Sequence, residues 1–241
     1  VITAIARTKP MLRLTAVMAL VGERGQWVPE MVLVDGRTGT GKSTALGNIV
    51  VQHGAVSVRA NAALTFGSLL DVIGFELRLE ARYRNADKLN AITSALKESR
   101  RALFIDEFDY LLRGDGRMTE VLRDIHDEAG VPIVLIGMEG IDRKLAKHPQ
   151  FLRRISQRVE FRGLDIGDAE LVAKTICEVE IAPDLLKLMH ERTKGNIGLM
   201  TVALKRVEDF AKGNRLKRVD AAKWDNKTMF LGDDSKPNGG A

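Results

Sequence analysis

The chain has 241 residues, 45% apolar and 29% charged, and carries a formal net charge of +5 from 37 Lys and Arg against 32 Asp and Glu. That length holds one good core with or without a small satellite domain, and the apolar share excludes a disordered chain. A lone Cys177 and four scattered histidines (His53, His126, His148 and His190) exclude a disulfide framework and give no metal-ligand spacing.

In chain order, Leu14, Val17, Met18 and Val21 fall at i, i+3, i+4 and i+7, so this stretch reads as a core helix rather than a secretory signal. The opening Val1 in place of Met suggests a trimmed chain. Apolar runs follow at Met31-Val32-Leu33-Val34, at Ala55-Val56-Ser57-Val58, at Ala102-Leu103-Phe104-Ile105 and at Ile133-Val134-Leu135-Ile136, with a weaker fifth at Val159-Glu160-Phe161. Near-continuous runs suit parallel strands covered on both faces. Helical spacing fills the gaps over 42–53, 67–80, 86–99, 117–129 and 142–157. The pattern changes after Leu164. It shows no further strand there, but three helical stripes: Leu171 to Val179, Pro183 to Met189 with Pro183 in a first turn, and Ile197 to Val207. An α/β domain over 1–164, an all-helical domain over 165–228 and a flexible tail over 229–241 are expected. No run approaches 18 apolar residues, which predicts a soluble, cytoplasmic protein with no membrane partner.

Three elements carry chemistry. Gly36-Arg37-Thr38-Gly39-Thr40-Gly41-Lys42-Ser43 fits G-x-x-x-x-G-K-[ST] between a strand and a helix, the setting of a phosphate-binding loop. Its backbone N–H groups, with Thr44 in the first helical turn, would cradle phosphates at a helix N-terminus. Lys42 would reach the β and γ oxygens, and the Ser43 hydroxyl would sit on Mg2+. Leu103-Phe104-Ile105-Asp106-Glu107 places two carboxylates at a strand's C-terminal end. Asp106 would hold Mg2+ through water and Glu107 would deprotonate the attacking water, which points to ATP hydrolysis. A guanine-reading Asn-Lys-x-Asp is absent, since Asn226-Lys227-Thr228-Met229 fails that pattern. The third element, Arg153-Arg154-Ile155-Ser156-Gln157-Arg158, precedes the fifth strand. One of Arg153, Arg154 and Arg158 is expected to neutralise the transition state of a neighbouring subunit, with Arg154 favoured.

Together these motifs, the Leu-Ile-Gly end of the fourth strand and the helical segment resemble an AAA+ ATPase over roughly residues 10–225, and within that superfamily the phage Mu transposition protein B type. The resemblance implies a five-stranded parallel sheet in the order 5-1-4-3-2 with a helical lid. It also implies ATP and Mg2+ as cofactors, a homo-oligomer (helical filament or ring) on double-stranded DNA, target-DNA selection and a transposase partner. Two departures from the family's pattern imply slow hydrolysis or a switch role. Met138 follows the fourth strand where a polar residue is usual, leaving Glu139 as the substitute. Gly195-Asn196-Ile197-Gly198 lacks an arginine, so Lys194 or Lys205 would serve.

Three basic segments compete for DNA. Arg78, Arg82, Arg84 and Lys88 around Tyr83 match the family's basic stretch; on a helix over 78–88 they could instead simply solvate the surface, with Glu80 and Asp87 as partners. Arg113 and Arg117 flank a loop after the acidic strand, and Arg59 with Asn61 follows the second strand. All would contact phosphates without reading sequence. A helicase loader, an insertion-sequence helper ATPase and a signalling NTPase with a protein partner share these features. An origin-recognition initiator is less expected, because few residues follow Lys223 for a winged-helix domain.

Overall fold

The computed structural model describes residues 5–22, 30–113, 116–225 and 227–233. Its contacts divide the chain into two units. One comprises Arg13–Gly36 and Lys42–Phe161; the other comprises Val1–Leu12, Arg37–Gly41 and Arg162–Ala241. The second unit is therefore discontinuous. It takes in the chain's start and five residues of the phosphate loop, which the boundary expected near 164 did not anticipate.

The first unit is built on five parallel strands: β1 (Met31–Gly36), β2 (Val56–Arg59), β3 (Leu103–Asp106), β4 (Ile133–Met138) and β5 (Ile155–Phe161). Their spatial order is β2-β3-β4-β1-β5, the expected 5-1-4-3-2. Side chains alternate across a strand. Met31, Leu33, Leu103, Ile105, Ile133 and Leu135 therefore share one core. Their neighbours Val32, Val34, Phe104, Val134 and Ile136 face the other way and are equally buried. Burial on both faces is why these strands read as unbroken apolar runs rather than as alternation.

Helices α1 (Lys9–Gly22), α2 (Lys42–His53), α3 (Phe66–Glu76), α4 (Asn85–Ser99) and α5 (Arg117–Ala129) follow the expected stripes. In α1, Leu14, Val17, Met18 and Val21 are all buried. A capping box between Thr65 and Ser68 starts α3. That helix stops at Glu76, not at 80, and Arg78 lies in the left-handed region with φ 58°. The basic residues expected on a helix over 78–88 thus lie mostly on an exposed connection between α3 and α4.

The helix expected over 142–157 does not form. Its place is taken by two short pieces, α6 (Ile141–Leu145) and α7 (Pro149–Leu152), followed by β5. A proline at the first position of α7 restricts His148, which takes the non-helical pair φ −121°, ψ 66°. From Ile155 onward, ladder bonding to β1 outweighs the local helical spacing. The Met31 N–H donates to the Arg154 carbonyl, and the register runs on to Gly36 opposite Phe161.

In the second unit, α8 (Ile166–Ile176), α9 (Pro183–Thr193) and α10 (Ile197–Gly213) bury Val172, Ile176, Leu185, Leu186, Met189, Met200, Leu204 and Val207 in one core. It is not all-helical. The two-residue strands β6 (Glu180–Ile181) and β7 (Arg218–Val219) pair in parallel, too short to leave a sequence pattern, and α11 (Ala221–Trp224) follows. Nor does the tail begin at 229, because Met229 and Phe230 are buried in that core. Asp233, behind them, accepts from the Met229 N–H at 2.8 Å and pairs with Arg192 at 3.3 Å. The rest of the expected tail, 234–241, lies outside the described residues. No helix among the described residues is long and apolar enough to cross a membrane.

Candidate nucleotide site

β1 ends at Gly36, where the chain must pass close to β5. A Cβ on Gly36 would lie 2.2 Å from the Phe161 carbonyl oxygen, so no larger residue fits. Behind Gly36, the Asp35 carboxylate is buried (1% exposed) and receives both arms of Arg158: Nε at 2.8 Å and Nη2 at 2.7 Å. Asp142 adds a weaker contact to the same guanidinium at 3.4 Å. The Asp35 hydrogen bond is the main force pushing the Arg158 pKa up. Arg158 thus lies within β5 and is committed to its own chain. This removes it from the residues free to reach a neighbouring subunit.

The phosphate-loop residues Arg37–Gly41 belong to the second unit. Thr40 Oγ donates to the Arg37 carbonyl at 2.8 Å, and Asn196 Nδ2 donates to the Thr38 carbonyl at 3.1 Å. The Gly198 N–H donates to the Gly39 carbonyl at 3.2 Å. The residue on the loop is therefore Asn196, the N-cap of α10, and not the lysines expected to stand in for an arginine. Lys205 pairs with Asp209 at 2.6 Å, and Lys194 is the left-handed C-cap of α9.

In the first unit, α2 opens with Lys42, Ser43 and Thr44, so these residues sit at the positive end of a helix dipole, an end that favours anions. Lys42 Nζ donates to the Gly36 carbonyl at 2.5 Å. Burial lowers the Lys42 pKa, opposed first by Asp106 and then by Glu107, Asp35 and Asp109. An incoming phosphate would supply the negative charge that burial makes costly to lack. Asp106 ends β3, and Glu107 follows in the left-handed region at φ 55°, its N–H donating to Asp106 Oδ1 at 2.9 Å. Ser43 and Asp106 offer hard oxygen donors, the set Mg2+ uses when phosphates and water complete its shell. No group of three or more metal-binding side chains occurs among the described residues.

Arg59 sits opposite Asp106 in the β2–β3 register. Its Nη2 lies 3.4 Å from Glu107 and its Nε 4.0 Å from Asp106. This guanidinium, expected on DNA, instead rests on the two acids. Only the register reveals that, since Arg59 and Glu107 are 48 residues apart.

Of the other basic residues, Lys88 is ion-paired with Asp71 on α3 at 2.7 Å, with its side chain only 13% exposed, and is removed as a DNA contact. Its partner is Asp71 rather than Glu80 or Asp87. Arg82, Tyr83 and Arg84 are exposed on the connection before α4. Arg113 lies over the Tyr110 ring at 4.5 Å, and Arg117 is exposed at the first turn of α5; Gly114 and Asp115 between them lie outside the described residues. Arg154 is held by Asp127 (Nε at 2.8 Å) and by the Gln150 carbonyl (2.8 Å). The favoured transition-state arginine is thus engaged within its own chain. Arg153 is exposed and makes no ion pair among the described residues. Both stand just before β5 begins, at the end of that strand away from the Gly36–Phe161 pair.

A family model described as an AAA domain matches residues 29–145. A curated relative, a "Potential ATP-binding protein" of Staphylococcus aureus, is 28% identical over 131 residues, which is 48% of this chain and 45% of that protein. The chain thus spans less than half the length of the curated relative it matches. Among solved structures, the Aeropyrum pernix ORC2 protein with ADPNP and ADP has a TM-score of 0.68 at 15% identity, covering 88% of this chain and 65% of that one. The Aeropyrum pernix ORC1 protein in complex with DNA has a TM-score of 0.60 at 19% identity, covering 90% and 63%. At such identities the likeness establishes fold alone. The chain has the fold of an AAA+ P-loop NTPase, and the AAA domain match spans its phosphate loop and acidic strand.

Proposed function

We propose that this chain binds ATP with Mg2+, hydrolyses it slowly, and works as a homo-oligomer on double-stranded DNA. The observation that carries the reading is Lys42 and Ser43 opening α2 beside a strand that ends in Asp106-Glu107, with all four residues in one unit. In this reading Gly36 to Thr44 cradle the phosphates, Ser43 and Asp106 hold Mg2+, and Glu107 takes the proton of the attacking water. Slow turnover follows from two contacts that hydrolysis must break: Lys42 on the Gly36 carbonyl and Arg59 on Glu107. Arg153, exposed and without an ion pair, is the best candidate to reach a neighbouring subunit's phosphates.

Double-stranded DNA is the proposed partner of Arg82 and Arg84. The exposed connection that carries them supports this, as does a fold neighbour whose structure contains DNA. Action on a transposase rests on the motif layout shared with transposition ATPases. Likeness to two ORC proteins favours a competing reading, an ATPase of replication initiation.

Fluorescent ATP binding and phosphate release test the core of the proposal. Lys42→Ala should abolish binding, whereas Glu107→Gln should bind ATP and fail to cleave it. Mixing Lys42→Ala with Arg153→Ala subunits should restore part of the activity if Arg153 acts between subunits. Normal hydrolysis by Glu107→Gln would sink the assignment. Stimulation of strand transfer by a purified transposase, or of origin melting, separates the two DNA readings.

A further inference from the structure

We infer that Asp109 is a positioning residue of the phosphate site, tying the segment that carries Asp106 and Glu107 to the turn after β4 and, through that turn, to Gly36. The inference rests on the reading of Lys42, Asp106 and Glu107 as a nucleotide site.

Asp109 is a buried carboxylate, 7% exposed, whose two oxygens serve different elements. Oδ2 accepts from the Met138 N–H at 2.7 Å, and Oδ1 accepts from Lys144 Nζ at 2.7 Å. The next residue, Glu139, donates its N–H to the Gly36 carbonyl at 3.2 Å. That carbonyl also accepts from Lys42 Nζ. A single turn therefore lies between Asp109 and the oxygen on which Lys42 rests.

On its other side Asp109 stands two residues after Glu107. It lies in the 3-10 turn Phe108–Tyr110, whose Phe108 is fully buried and stacked on Phe151 at 5.7 Å between centroids. Glu107 is thus clamped between the end of β3 and an anchored turn. The space beside the carboxylate is equally constrained. A Cβ on Gly137 would lie 2.7 Å from Asp109 Oδ2 and 2.2 Å from Ile141 Cδ1.

A carboxylate is a costly way to fill a buried site unless its donors are fixed. Apolar packing alone could anchor the 3-10 turn, as Phe108 shows, but it could not hold a backbone N–H. The Met138 side chain offers no donor, so its link to Asp109 runs through the backbone N–H and the backbone geometry at the end of β4. That geometry is what Asp109 holds.

Asp109→Asn keeps the shape but replaces one acceptor by a donor, so either the Met138 N–H or the Lys144 ammonium faces an N–H. The lost buried bond should raise amide exchange over 136–141 about tenfold and lower turnover by a similar factor. The KM for ATP and the affinity for a fluorescent ATP analogue should stay within about threefold, since no phosphate ligand is removed. Adding Lys144→Met to Asp109→Asn frees the amide to turn its oxygen toward Met138 and should restore both readouts.

If Asp109→Asn does not fold, Lys144→Met alone removes one donor from a side chain more than half exposed, and a severalfold fall in turnover is expected. Unchanged exchange, faster exchange with unchanged turnover, or a double variant no better than Asp109→Asn would overturn the inference. A wild-type protein that does not hydrolyse ATP overturns the functional reading instead, and that failure appears before any variant is compared.

Discussion

Arg158→Ala separates a role inside the chain from one across a subunit boundary. The Arg158 guanidinium grips both oxygens of Asp35, and that carboxylate is 1% exposed. Removing the arginine leaves a buried charge beside the start of the phosphate loop. Breaking a buried pair from one side costs about 3–5 kcal/mol. The Arg158 side chain itself is 45% exposed, so water can enter where it stood, and the lower end, about 3 kcal/mol, is the better expectation. For a chain of this size each kcal/mol moves Tm by about 2–4 °C, which predicts a fall of roughly 6–12 °C by calorimetry. Asp35→Asn with Arg158→Met removes both charges and should recover at least half of the loss, since no charge is left without a partner. An arginine acting on a neighbouring subunit behaves differently: its removal spares Tm and abolishes oligomer-dependent hydrolysis. A Tm shift under about 2 °C in Arg158→Ala would refute the reasoning.

The Asp127–Arg154 pair gives a pH dependence. The Arg154 hydrogen bond, helped by His126, holds the Asp127 pKa below the ordinary carboxylate value of about 4, so its stabilisation is present above that pH and is lost as pH falls through the folded value. Urea denaturation of Asp127→Asn should therefore show a shallower acid decline than wild type, and parallel declines would count against the pair. On DNA, Arg82→Ala with Arg84→Ala should reduce the slope of log affinity against log salt by about 1.8, at about 0.9 per contact. Lys88→Ala, already paired with Asp71, should leave that slope unchanged. An unchanged slope in the double variant would remove this connection as the DNA site.

The parts legible in the sequence are those set by local pattern. Val32 and Leu33 are both buried because both faces of β1 are covered, and that same fact makes the strand read as an apolar run. The phosphate loop is legible because its glycines, Lys42 and Ser43 are consecutive in the chain. The early start of β5 is the instructive failure, since only its end at 159–161 was expected. Residues 155–157 carry helical spacing, yet pairing with Met31 and Val32 draws them into the sheet, and Arg158 with them. Pro149 announced the break in the preceding helix, but nothing local announced that the strand expected at 159–161 begins as early as Ile155. β6 and β7 failed for the opposite reason, since two residues are too few to carry a period.

Side-chain partnership was the least legible layer, and it changes the functional reading most. A basic residue seen in sequence could face DNA, a nucleotide or an acid of its own chain, and the chain order does not distinguish these. Here Arg59 meets Glu107, Lys88 meets Asp71, Arg154 meets Asp127 and Arg158 meets Asp35, each pair far apart in sequence or joined only by tertiary packing. A net positive charge is therefore a poor guide to where an anion binds, because much of it is neutralised internally. Among the basic residues weighed for DNA or a neighbouring subunit, subtracting the paired ones leaves Arg78, Arg82 and Arg84 exposed on one connection, Arg113 over the Tyr110 ring and Arg153 just before β5. The same subtraction explains the resting site. Lys42 lies on a backbone carbonyl and Glu107 faces a guanidinium, so both groups proposed for catalysis already have partners. In the proposed reading nucleotide would displace the first contact and hydrolysis would loosen the second, which is the physical ground for proposing slow, gated turnover.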